Sequence, residues 1–547
     1  MKLTSPPAPR VLVIGLDGAT YDLLTPWARS GRMPNLARLM QKSALAVVNS
    51  TRPYITPVAW TTFQTGCDPV EHGILDYRYL DHRRRRLLLN HAGRIPCPTL
   101  FDTVSAGGGE VVSLNLPMTY PAWATTRGIV VGGLDSPSIE AALEPYPEFA
   151  ARLKATGARY DLSTVWRRKP TTLEELSEGV AHTAASFRAQ ATAARVADRM
   201  TDWRLMVVQF QVLDALQHRC WHLLGGESDE RAPAKWRTKA RQALAALDDS
   251  LGELMELASR RKAAVVALSD HGFGPFREKI TLPELLARRG LLKLPGFSAK
   301  GTYHLRRGGW KLRKILWRRL RPGCSTAQLT RPLDSLLPVD WRRSVALALH
   351  GDLGGMIYLN TPERFGSGPV GTPRQREQAL ADTAAAFRES RHPETGERLF
   401  VEVTDTASRY GIDPVERMWP DLVTIPAPGF HTRHKFDAAP QLLRSDPTLT
   451  ATHRLEGVLM VDAAGVARGR SQTAELRDVA PTILHLLGMP APARMSGRVL
   501  SEILSGPAPA PAGQSIDDAP AALQLAGITD ADQVCVEARL RDLGYLD

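Results

Sequence analysis

The sequence predicts an α/β fold: a layered, largely parallel sheet buried on both faces. Three observations carry this expectation. Short apolar runs rich in β-branched residues recur along the chain, longer helical patterns separate them, and several runs end abruptly in acidic or imidazole side chains. The strand candidates are VLVIGL (11–16), GIVVGGL (128–134), LMVVQFQ (205–211), AAVVALS (263–269) and GVLMVD (457–462). Helical spacing covers Met33–Gln41, Ala181–Met200 and Lys235–Arg260.

The first run, Val11 to Leu16, meets Asp17 at once and is too short for the apolar region of a signal peptide, so it reads as the first strand. No stretch of about 18 apolar residues exists, and none is expected to span a membrane. At 547 residues the chain is long enough for one large core with insertions. Its domains are expected as one main unit over 8–505, a Pro/Ala linker over 506–516 (within SGPAPAPAGQS) and a short helical tail over 517–547, with Asp530 to Leu543 helical. Between about 278 and 345 the strand–helix alternation breaks into basic, Pro/Gly-punctuated sequence, read as an inserted cap-like segment.

The five cysteines, Cys67, Cys97, Cys220, Cys324 and Cys535, are scattered and contain no CxxC. That excludes a disulfide framework and suits a reducing, cytoplasmic location. The net charge of +12 is local: nine Lys/Arg and no acid fall between Lys300 and Arg321, and HRRRR (82–86) adds a second basic run. Leu312, Ile315, Leu316 and Leu320 share one helical face there, with Trp310 and Trp317 seven apart. The segment 300–321 therefore fits peripheral contact with an anionic membrane or guidance of an anionic substrate, or an ordinary insertion helix with a solvated basic face. No recognised nucleic-acid-binding module is present.

Four strand candidates carry metal-type ligands near one end. Asp17 follows the first; Asp214 and His218, four apart, follow the run ending near 211; Asp270 and His271 follow the run ending at 269; His453 precedes the last. In open α/β sheets the ligand crevice lies outside the carboxyl ends of the strands, which brings three of these groups together. Oxygen and imidazole ligands without thiolates suit Zn²⁺, Mn²⁺ or other borderline divalent ions. Three Asp and three His exceed one open catalytic site and divide into two, the number that clamps both oxygens of an in-line displacement. A nucleophile is offered by Thr56 before Pro57, where Thr at the N-cap and Pro at the first position make a good helix start and a phosphate-favouring one.

Each group also has an ordinary structural explanation. Asp17 and Thr56 can be helix caps, Asp214 with His218 a surface pair, and His431 or His434 in FHTRHKF compete with His453 on composition alone.

At these residues the chain resembles the alkaline phosphatase superfamily, and within it the branch of type I phosphodiesterases/nucleotide pyrophosphatases and neighbouring phosphohydrolases or phosphomutases. The resemblance covers most of residues 10–502. It rests on VIGLDGATYDLLTPWARSGRMPNLARLM, TPVAWTTFQTGCDPVEHGILDY, NLPMTYPA, SDHGFG, and THRLEGVLM followed by RDVAPTILHLLGMPAPARMSGRVL.

It implies an alkaline-phosphatase-like three-layer sandwich with inserted cap segments. It further implies one metal held by Asp17, Asp270 and His271, another by Asp214, His218 and His453, and Thr56 as nucleophile touching the first metal. The implied activity is a phosphoric ester hydrolase with two divalent ions, Zn²⁺ or Mn²⁺, and a phosphothreonine intermediate, acting on a small phosphorylated or nucleotide-like substrate. A phosphomonoesterase or phosphomutase of the same superfamily, or a metal-stabilised binding protein without activity, are the alternatives. A sulfatase is not expected: its formylglycine precursor is Cys or Ser in C/S-x-P-x-R, Thr56 cannot undergo that conversion, and in Cys67-Asp68-Pro69-Val70-Glu71 the arginine position holds Glu71. No residue is assigned to the non-bridging phosphate oxygens, although Tyr77, Arg78 and Asn115 lie in suitable segments.

Overall fold

The computed structural model describes residues 8–543 and 546, apart from 123–125, 163–164, 226–231, 295–338, 352, 436–440, 471–472 and 505–527. The linker expected over 506–516 and the basic helix expected around 310–320 lie outside the described residues.

The chain divides into two compact units. One draws on Met1–Ile74, His91–Pro275 and Thr448–Gly527, the other on Leu75–Asn90, Phe276–Pro447 and Ile528–Asp547.

The first unit is built on a nine-stranded sheet. Across it lie Gly469–Arg470, Ala44–Asn49, Glu456–Asp462, Ala264–Leu268, Val11–Leu16, Trp203–Phe210, Glu110–Leu116 and Gly128–Gly132, with Ala474–Glu475 also paired to Ala44–Asn49. The five strands from Ala264–Leu268 to Gly128–Gly132 run parallel. Glu456–Asp462 runs antiparallel between Ala264–Leu268 and Ala44–Asn49.

Every residue of Val11–Leu16 is buried, as a parallel strand covered on both faces requires. Leu12, Ile14 and Leu16 join the core that holds the long helices Leu173–Met200 and Ala234–Arg261. On the other side, helices Thr56–Thr65, Leu100–Ala106 and Val479–Leu486 pack on one another, with Leu100–Ala106 seated on the sheet. The result is three layers, the α/β sandwich that the sequence predicts, and each of the five strand candidates is a strand. Ala44–Asn49 and Glu110–Leu116 had no sequence counterpart. The first alternates buried and half-buried residues, so it carries no continuous apolar run.

The second unit holds an antiparallel sheet of Ala346–His350, Gly355–Leu359, Leu422–Pro426 and Phe400–Asp405. Helix Pro373–Arg388 packs on it. A hairpin, Arg78–Asp81 with Arg86–Leu89, and the terminal helix Asp530–Leu543 belong to the same unit. No helix among the described residues is long and apolar enough to cross a membrane.

Candidate metal centre

Register sets the site. Val11–Leu16 pairs with Trp203–Phe210 so that Leu16 lies beside Phe210, and with Ala264–Leu268 so that Gly15 lies beside Leu268. The carboxyl ends of three neighbouring parallel strands are therefore level, and Asp17, Asp270 and His271 leave them within two or three residues. The third end turns into helix Val212–Leu224, which carries Asp214 in its first turn and His218 one turn later. His453 sits on the strand Ala451–Arg454, opposite Phe273 of Gly272–Pro275. It precedes an antiparallel strand, so it arrives at the same edge from the opposite chain direction.

Six candidate ligands are buried here, none more than 5% exposed. Asp17, Asp270 and His271 offer ligand atoms all within 4.8 Å of one another, and so do Asp214, His271 and His453. His271 thus belongs to both groups, which the sequence did not suggest. His218 stands outside these two sets, with Nε2 3.6 Å from Asp214 Oδ1 and 3.2 Å from His453 Nε2. The alternatives His431 and His434 lie in the second unit.

The hydrogen bonds fix which atoms face the centre. His218 Nδ1 lies 2.9 Å from the Ala451 carbonyl, His453 Nδ1 3.2 Å from that of Tyr54, and His271 Nδ1 3.2 Å from that of Gly272. A carbonyl only accepts, so each Nδ1 carries the proton and each neutral Nε2 presents a lone pair. His271 Nε2 then meets Asp270 Oδ2 at 3.3 Å and Asp17 Oδ1 at 3.7 Å. All three of these atoms are buried without a hydrogen-bond partner, and so is Thr56 Oγ1.

Lone pairs turned on one another in a buried site repel, and a cation between them removes the conflict. The opposite oxygens are tied down. Asp17 Oδ2 accepts from Gln209 Nε2 at 2.6 Å and from Trp60 Nε1 at 3.0 Å, and Asp270 Oδ1 accepts from the Gly18 N–H at 3.1 Å. These outer contacts orient ligand oxygens in the way metal sites use.

Charge leads to the same conclusion. Burial pushes the Asp17 and Asp270 carboxyls well above the usual range, and the neighbouring carboxylates push further in that direction. Burial also drives His218 down to about 4 and His271 well below its ordinary value. Burial acts upward on Asp214 too, yet its proximity to His218 and His453 holds it below the usual range.

Thr56 departs from its expected place. Helix Thr56–Thr65 starts with Ile55 as N-cap, so Thr56 is already helical and its hydroxyl caps nothing. Pro57 fits any position of the first turn, which is why the sequence left the boundary one residue uncertain. Trp60, four residues on, shares the Thr56 face of the helix and reaches Asp17, which keys the start of that helix to the ligand cluster.

Sequence reasoning missed the supporting amides. Asn115 Nδ2 donates to the Gln209 carbonyl at 3.1 Å and to its Oε1 at 3.2 Å, and Gln209 in turn holds Asp17. Gln217 Nε2 donates to the carbonyls of Asp17 and Gly18. A lone Gln near the end of an apolar strand was the only available signal. Gly18 has φ of +68°, and a Cβ there would come within 2.4 Å of the Phe273 ring, so no other residue fits the turn after Asp17.

Comparisons with known proteins give the family and the fold. The chain matches the family of type I phosphodiesterases/nucleotide pyrophosphatases over residues 11–453. The fold is similar to that of phosphonoacetate hydrolase from Sinorhizobium meliloti 1021 in complexes with phosphonoformate and phosphonoacetate. Identities are 15% and 14%, with TM-scores of 0.50 and 0.51 over 88% of this chain and 96% of that one. Human ectonucleotide pyrophosphatase/phosphodiesterase 5 is 13% identical, with a TM-score of 0.48 over 91% of this chain and 100% of that one. No curated protein matches the chain by sequence. The chain belongs to the type I phosphodiesterase/nucleotide pyrophosphatase family of the alkaline phosphatase superfamily, a metal-dependent family, and is a phosphoric ester hydrolase.

Proposed function

We propose that the protein is a phosphodiesterase of small phosphorylated or nucleotide-like substrates, with Thr56 as nucleophile and two divalent ions, Zn²⁺ or Mn²⁺. Asp17, Asp270 and His271 would hold one ion, and Asp214, His218 and His453 the other, with His271 close enough to serve both. The observation that carries this reading is the set of buried, unpartnered polar atoms on Asp17, Asp270, His271 and Thr56. When bound, the ions supply positive charge that lowers the pKa of a neighbouring hydroxyl and offsets charge on a leaving oxygen.

The residues do the rest. Thr56 Oγ forms the bond to phosphorus in line as the ester P–O bond opposite it breaks. The hydroxyl proton passes to solvent, and the departing oxygen takes a proton from solvent. Water then attacks the phosphothreonine, its Oγ–P bond breaks, and Thr56 recovers its proton. The N-terminal end of helix Thr56–Thr65 favours the negative charge that gathers on the phosphoryl oxygens. Trp60 and Gln209 hold Asp17 in place throughout.

A cytoplasmic location goes with this reading. Cys67, Cys97, Cys220 and Cys535 are free thiols, as a reducing compartment keeps them.

Hydrolysis of bis-p-nitrophenyl phosphate and p-nitrophenyl phosphate, with Zn²⁺ or Mn²⁺ supplied, tests the proposal in wild type and Thr56→Ala. Preference for the diester and a loss of about 10³-fold or more in Thr56→Ala support it. Preference for the monoester moves the protein to the phosphatase or mutase side. Undiminished turnover by Thr56→Ala removes Thr56 as nucleophile.

A further inference from the structure

The second unit contains a buried polar cluster that the metal centre does not use. Asp76 Oδ2 accepts from His350 Nδ1 at 2.6 Å, and His350 Nε2 accepts from the Tyr358 hydroxyl at 2.8 Å. Among the described residues of that unit two arginines are buried, Arg364 at 3% and Arg78 at 7% exposure. Arg364 is fully engaged: Nη1 pairs with Asp421 Oδ2 at 2.6 Å, Nη2 donates to the Trp419 carbonyl, and the guanidinium lies over the Tyr358 ring. Arg78 is not. Its Nε and Nη2 are buried without a hydrogen-bond partner.

We propose that Arg78 anchors an oxyanion-binding site in the second unit, its Nε/Nη2 edge taking two oxygens of a carboxylate or phosphate group. The proposal does not rest on the reading of the metal centre.

Chemistry selects the ligand class. Nε and Nη2 form the side-on edge of the guanidinium, two parallel N–H donors at the spacing of two oxygens on one carboxylate or phosphate. A buried cation with that edge unpaired is costly to the fold, and a site built for an anion explains why it is there. The nearest acid in sequence does not pair with that edge. Asp76 is already committed to His350 through Oδ2 and to the Tyr77 N–H through Oδ1.

The position is also held firmly. Arg78 opens the hairpin strand Arg78–Asp81 and pairs with Leu89, while Asn90 donates from Nδ2 to the Asp76 carbonyl and from its backbone N–H to that of Tyr77. Arg78 is close enough to His350 and Tyr358 to act electrostatically on both. The Asp76–His350–Tyr358 chain begins two residues before Arg78 and is closed by its own hydrogen bonds.

The test uses the full-length chain, with inorganic phosphate and acetate as probes, read by thermal shift and titration calorimetry. At least one anion is expected to stabilise wild type saturably, and the one that does names the source of the oxyanion. Arg78→Met should be at least as stable as wild type in anion-free buffer and should lose that stabilisation. Arg78→Lys, which keeps the charge but not the edge, should bind about tenfold more weakly or worse. Phosphate held at the metal centre survives Arg78→Met, so only the increment that this variant removes counts. The proposal is overturned if neither anion stabilises wild type, if Arg78→Met retains the full increment, or if Arg78→Met is destabilised in anion-free buffer, which would make the guanidinium structural.

Discussion

His453 Nε2 lies 3.1 Å from Asp214 Oδ1, although 239 residues separate them in the chain. With Nδ1 turned to the Tyr54 carbonyl, His453 presents a lone pair to a carboxylate oxygen. With the imidazole neutral, two lone pairs face each other in a buried site, and a cation between them relieves that conflict.

Removing metal should therefore lower stability. An ion that binds only the folded chain adds about 4 kcal/mol at a thousandfold excess over Kd. Thermal melts with and without a chelator should show a clear drop in Tm for wild type and a much smaller one for His453→Ala. An unchanged Tm on chelation would sink the two-ion reading.

In the metal-free protein, Asp270→Asn should be stabilising. The folded-state pKa values of Asp17 and Asp270 are raised, so protonation favours the folded chain. That stability is complete below the ordinary carboxylate range and is lost as pH rises through the raised values. Urea unfolding in chelator should show Asp270→Asn gaining on wild type at pH 7.5 and much less at pH 4, while its response to added metal disappears. A variant that is less stable at pH 7.5 without metal would contradict the repulsion.

The outer contacts to Asp17 should tune the metal rather than the chemistry. Gln209→Leu and Trp60→Phe each remove one donor to Oδ2 and leave most of the packing in place. Metal affinity is expected to fall about 10- to 100-fold. Competition against a chromophoric chelator measures it, and an affinity equal to wild type in both variants would refute the role.

His72 provides a pH signature outside the metal centre. It is buried beside Thr62, with its ring Nε2 2.9 Å from Thr62 Oγ1, and burial lowers its pKa to about 3. A histidine with a depressed folded pKa loses stability as pH falls below its unfolded value near 6.5, at up to about 1.4 kcal/mol per unit. Between pH 6.5 and 4, His72→Gln should lose less stability than wild type. Parallel curves would show that His72 titrates normally.

Much of the centre was legible from sequence because its ligands sit next to their strands. Asp17, Asp270 and His271 follow buried apolar runs directly, and Asp214 with His218 has the spacing of one helical face. Thr56 was legible as a hydroxyl at a helix start, but its exact helical position was not, because Pro57 suits either boundary. The supporting role of the amides Gln209, Gln217 and Asn115 was not legible, although Asn115 stood out as a polar residue in a suitable segment. Gln209 becomes a ligand-orienting residue only because the parallel register sets it beside Gly15, two residues before Asp17.

The sequence by itself determined the alternation of buried strands and helices, and hence the layered α/β fold and the candidate ligands at its strand ends. Those features are local: apolar periodicity and the residue that ends each run. Only the tertiary structure decided that His271 faces both ligand groups, that its Nε2 and one oxygen each of Asp17 and Asp270 are buried together without a hydrogen-bond partner, and that Arg78 is buried with an unpaired edge whereas Arg364 is paired with Asp421. Those facts depend on strand register and on which side chains share a buried space, and contacts across hundreds of residues leave no periodic trace in the chain.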